Sequence, residues 1–98
     1  MITIGIDPHK ASHTAVALDP EGRVLGELRA PATRTTTERL LHWAERWPER
    51  IWAVEGASGL GRLLAQQLTA SDETALDVLG DATWWLRDVC VAAWLTPR

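Results

Sequence analysis

Two acidic residues stand where chemistry is easiest to build. Asp7 follows the alternating run Ile2-Thr3-Ile4-Gly5-Ile6, and Glu55 follows the compact apolar run Ile51-Trp52-Ala53-Val54. In mixed α/β sheets functional groups collect where strands end, because loops there hold polar side chains while the sheet fixes their positions. If the two runs are neighbouring strands, the carboxylates face one another. Two carboxylates within a few ångströms repel, and a hard divalent cation with oxygen ligands, such as Mg2+, relieves that repulsion. Such a pair is suited to activating water or stabilising a leaving oxygen in phosphodiester cleavage. On spacing alone, two ordinary strand-end acids explain the same residues.

Other polar groups offer less. His9 and His13 are four apart but straddle a strand start, so they make no helical metal pair and read as turn and surface residues. Ser58 has no histidine placed as its base, and helix capping accounts for it. Gly56, Gly59 and Gly61 would let a phosphate approach a helix N-terminus, or would serve close helix-to-sheet packing.

The elements that must position the acids follow from periodicity. Residues 2–7 alternate as a strand, and Pro8 is expected to stop its pairing. Residues 12–18 and 23–28 give two further strands joined by the turn residues Asp19-Pro20-Glu21-Gly22. After a Thr-rich loop, Leu40, Leu41, Ala44 and Trp47 recur at helical spacing until Pro48. The run 51–54 suits a strand buried on both faces, and Leu60, Leu63, Leu64 and Leu68 share a face of a second helix capped by Ser58. Residues 74–78 make one more strand. The order β-β-β-α-β-α-β predicts an α/β, ribonuclease-H-like mixed sheet, incomplete at the C-terminus.

Composition narrows the class. A chain of 98 residues is one small domain or a piece of a larger one, which excludes a two-domain enzyme and argues against a deep enclosed site. Ten Lys and Arg against thirteen Asp and Glu leave a net charge of −3, too acidic to neutralise DNA phosphates unaided. The single cysteine, Cys90, makes no internal disulfide, and no Cys/His cluster has zinc spacing. No signal-peptide pattern opens the chain and no run approaches a membrane span, so a cytoplasmic location and no membrane partner are expected.

The wording around the acids is more specific. Gly5-Ile6-Asp7-Pro8-His9-Lys10, then Ala15-Val16-Ala17-Leu18-Asp19 and Gly22, then Val54-Glu55-Gly56-Ala57-Ser58-Gly59-Leu60-Gly61, resembles the N-terminal part of the DEDD transposases of bacterial insertion sequences. That family's nuclease domain is similar to the RuvC resolvases. The resemblance implies that Asp7 is the first acid of an Asp-Glu-Asp-Asp set and Glu55 the second, holding Mg2+ (or Mn2+) for cutting DNA at insertion-sequence ends and targets. It also implies that Lys10 lies near the metal edge, where a cation meets a phosphate; a solvated turn lysine is the alternative.

The resemblance stops near Asp77. The family continues to two further acids in an Asp-x-x-Asp context and to a second domain with a serine needed for recombination, whereas Asp81 and Asp88 lack those surroundings. Residues 1–78 are thus expected to be the N-terminal part of the domain and 79–98 a divergent tail. The cluster Trp84, Trp85 and Trp94 with Cys90 suggests out-of-frame translation of a high-GC gene; its competitor is a helix over 81–95 whose tryptophans cover the sheet. The expectation is a fragment with two of four acids, inactive alone, that pairs with intact transposase. Two other classes stay open: an ATP-binding module of the actin-like and sugar-kinase type, disfavoured by Pro8, which removes a phosphate-binding backbone donor, and a non-enzymatic interaction module.

Overall fold

The computed structural model describes residues 1–56 and 59–78. They form β1 (Ile2–Pro8), β2 (Ser12–Leu18), β3 (Val24–Pro31), α1 (Thr36–Ala44), β4 (Arg50–Glu55), α2 (Arg62–Ala70) and β5 (Ala75–Val78), the anticipated order. The strands make one sheet in the order β3-β2-β1-β4-β5. Its first three strands pair antiparallel, while β4 lies parallel to β1 and β5 parallel to β4. This is the mixed sheet expected of a ribonuclease-H-like fold.

Alternation divides each strand between two faces. Ile4 and Ile6 share one face with Ala15 and Ala17 across β2 and with Trp52 and Val54 across β4. Leu40 and Ala44 of α1 and Leu64 and Leu68 of α2 close over that face and complete the core. The other face carries Gly5, Val16, Leu18 and Ala53, all buried. The strand Arg50–Glu55 is therefore apolar on both sides, as its composition requires.

Local chemistry explains the joints. At the β2–β3 turn Asp19 Oδ1 accepts from the backbone N–H groups of Glu21 and Arg23 at 3.0 and 2.8 Å, and Gly22 takes φ +83°, a conformation glycine allows. Trp43 and Trp47 meet edge to face, with ring centroids 4.9 Å apart, over Gly26 of β3. A Cβ there would stand 3.2 Å from Trp47 Cη2, so the missing side chain makes room for the indole. At the far end, Glu73 accepts from Arg50 Nε at 2.8 Å and from the fully buried Trp52 Nε1 at 2.6 Å. Arg50 also donates to the carbonyls of Ala44 and Trp47, tying the end of α1 to the start of β4.

Several expectations need correction. Pro8 does not stop the pairing: as the last residue of β1 it pairs with His13. The bond from His9 N–H to the Ser12 carbonyl sets the alternation, so position 8 turns its amide side toward β4, whose pairing with β1 has already ended at Ile6 and Val54. The absent N–H therefore costs no ladder bond. The third strand runs on to Pro31, and α1 begins inside the Thr-rich stretch. Thr36 and Thr37 are buried there because their hydroxyls donate to the Pro31 carbonyl and to Gln67 Oε1. Trp47 lies beyond α1, which ends at Ala44. The N-cap of α2 is Gly61 and not Ser58, which lies outside the described residues. Leu60 precedes that helix, and Leu60 and Leu63 are 62% and 65% exposed, so the buried face is narrower than the leucine spacing suggests. The helix expected over 81–95, with Trp84, Trp85 and Trp94, also falls outside the described residues.

Candidate functional site

Sheet order decides whether the two acids meet. Because β1 and β4 are direct neighbours, the parallel register runs to Ile6 opposite Val54, and Asp7 and Glu55 are the next residue on each strand. Both fall on the face opposite the helices, at the same end of adjacent strands, which in any sheet lie about 4.8 Å apart. The structure thus brings together the pair that spacing alone left open.

Asp7 is held from one side. His9 Nε2 lies 2.9 Å from Asp7 Oδ2, with the carboxylate side chain 28% exposed and the imidazole 57% exposed. An imidazole bonded to a carboxylate fixes the orientation of both, as second partners of metal ligands commonly do. Sequence reasoning placed His9 in a turn without a role. The available signal was its position two residues beyond Asp7, since side chains i and i+2 of an extended chain share a side.

His13 departs furthest from expectation. It is 8% exposed rather than a surface residue, on the helix-covered face between Pro8 and Ala30, and its Nδ1 has no hydrogen-bond partner among the described residues. Burial foremost, and the neighbouring His9 charge second, push its imidazole below the usual histidine range, so it stays neutral. Lys10 is exposed in the β1–β2 turn and forms no ion pair with a described residue.

Glycines shape the approach to Glu55. Gly56 has φ +65°, and its carbonyl accepts from the N–H groups of Gly59 and Gly61 at 2.8 and 3.0 Å. A Cβ on Gly61 would stand 2.6 Å from Val54 Cγ1 and 3.0 Å from the Glu55 carbonyl oxygen. Of the two roles open to these glycines, Gly61 serves close packing of the α2 start on β4.

In donor chemistry the pair suits a hard divalent cation, since both groups are carboxylates. No group of three His, Cys, Asp or Glu side chains converges among the described residues. Asp77 does not join, because it pairs with Val54 and so belongs to the other face. Neither described helix is long and apolar enough to cross a membrane.

Residues 4–89 match the family model of the IS110-type DEDD transposases, described as transposase. The match includes Asp7 and Glu55 and continues beyond Val78. Curated proteins yield no match to the chain.

Proposed function

This chain belongs to the IS110-type DEDD transposases, and from that premise we propose that Asp7 and Glu55 are two of the carboxylates with which the family holds divalent metal for DNA strand cleavage. The observation that carries the reading is the register, which sets the acids side by side one residue past the Ile6 and Val54 pair. When bound, Mg2+ or Mn2+ supplies an electrophile for a phosphodiester oxygen and an acidified water. Asp7 and Glu55 contribute negative charge and oxygen ligands, and His9 keeps the Asp7 carboxylate turned as a ligand. Lys10, exposed in the turn that follows Asp7, meets a phosphate of the DNA.

On this reading two acids of the family's four stand among the described residues, and two carboxylates by themselves bind metal weakly and do not position both the attacking and the leaving oxygen for cleavage. Two measurements test the site. Mn2+ binding, followed by electron paramagnetic resonance, should weaken at least about tenfold in Asp7→Asn and in Glu55→Gln. Equal affinity in the parent and both variants would refute the assignment. Metal-dependent nicking of branched DNA by the isolated chain, lost on Asp7→Ala, would overturn the inactivity.

A further inference from the structure

On the face opposite the acids, the β1–β2 turn and the starts of both helices open a cleft of about 380 Å3, lined in part by Lys10, His13, Arg34, Leu60, Leu63 and Gln67. We propose that this cleft binds one nucleotide unit of a nucleic-acid strand, with the phosphate on Lys10 and Arg34 and the base against Leu60 and Leu63. The inference takes from the preceding section that the chain handles nucleic acid, but it does not depend on the metal pair.

Charge carries the first part of the argument. In a chain of net charge −3, no carboxylate lines this cleft among the described residues, while Lys10 and Arg34 both do. Both are exposed, and neither forms an ion pair with a described residue. Two such cations converging on one hollow attract an anion, and the guanidinium fork suits phosphate oxygens.

The rest of the lining suits a nucleotide better than a bare anion. Leu60 and Leu63, each more than half exposed, give the cleft an apolar wall that an inorganic ion would leave wet. Gln67 Oε1 accepts from the Thr37 hydroxyl at 2.6 Å, and its Nε2, without a partner among the described residues, can donate to a base carbonyl. His13, nine-tenths buried and neutral, adds a polar ring whose Nδ1 is unpartnered among the described residues. The volume lies at the lower end of small-ligand sites, the scale of one nucleotide. His9 lines the same cleft and bonds Asp7, so a strand seated there is led across the sheet end toward the acids.

The test is fluorescence anisotropy of a labelled single-stranded oligonucleotide titrated with the 98-residue chain in EDTA, so that metal binding plays no part. Lys10→Ala and Arg34→Ala should each weaken binding about 3–10-fold at low salt and reduce the slope of log K against log salt by about 0.7. Leu63→Glu, which puts a carboxylate into the cleft, should weaken it at least about tenfold. Arg39→Ala, a cation on α1 outside the cleft, should change neither quantity. Equal losses in Arg39→Ala and Arg34→Ala, or unchanged binding in the cleft variants, would overturn the proposal. Binding of a nucleoside monophosphate or inorganic phosphate without binding of the oligonucleotide would overturn the strand as the source of the phosphate. Failure of the metal pair appears only in the Mn2+ titration and leaves these outcomes untouched.

Discussion

Gly61 is the position at which packing and the acidic site meet, and Gly61→Ala isolates that connection. The backbone there, φ −88° and ψ 0°, is open to alanine, so the cost arises from contact and not from conformation. The new methyl would stand 2.6 Å from Val54 Cγ1, 3.0 Å from the Glu55 carbonyl oxygen and 3.3 Å from the Gly56 carbonyl oxygen. Two of these neighbours are backbone of the β4 end, which has little freedom to retreat. Overpacking of this kind costs about 1–3 kcal/mol, offset in part by about 0.4–1 kcal/mol from a less flexible unfolded chain. A net loss of about 1–2 kcal/mol follows, equivalent to a fall in Tm of roughly 4–16 °C for a domain of this size. Gly59→Ala is the matched control, because among the described residues its Cβ would meet only the Gly56 carbonyl at 3.7 Å, an ordinary contact. Urea and thermal unfolding of both variants give the stability, and Mn2+ titration reports whether the strain displaces Glu55 from Asp7. Gly61→Ala should lose both stability and metal affinity, while Gly59→Ala keeps both. Gly61→Ala as stable as the parent, or a Gly59→Ala loss of equal size, would refute the packing argument.

Other expected outcomes concern groups whose environment is set by burial. Burial pushes the Glu73 carboxyl up, but hydrogen bonds from Trp52 and Arg50 and the Arg50 charge outweigh it and hold it below its usual range. Its contribution is therefore complete above the unfolded value of about 4.3 and is lost as pH falls through the lower folded value. Glu73→Gln should flatten the acid limb of stability measured by urea melts from pH 7 to 3, and Glu73→Ala should cost about 2–4 kcal/mol by also stranding the Trp52 N–H. His13 has a folded value below the unfolded one, so it holds fewer protons when folded, and stability declines as pH drops below about 6.5. His13→Gln should remove that decline, and a retained slope would point to another group.

Sequence and tertiary structure divided the determination of this protein in a physically intelligible way. Local signals fixed what depends on neighbours along the chain: the strand at Ile2, Ile4 and Ile6, the Asp19–Gly22 turn, the doubly buried run at Ile51–Val54, and the element order. The wording around Asp7 and Glu55 was equally legible, because motif residues are adjacent in sequence, and it pointed to the family that residues 4–89 match. Contacts between segments far apart in the chain were not legible. Only strand order decided that β1 and β4 adjoin, and only register set Asp7 beside Glu55 while sending Asp77 to the other face. His13 looks like a turn residue until β3 and the helices enclose it. Leu63 looks like core until α2 starts at Arg62 and turns it outward. Hydrophobic periodicity reveals that a side of an element is apolar, and burial is settled by what packs against it.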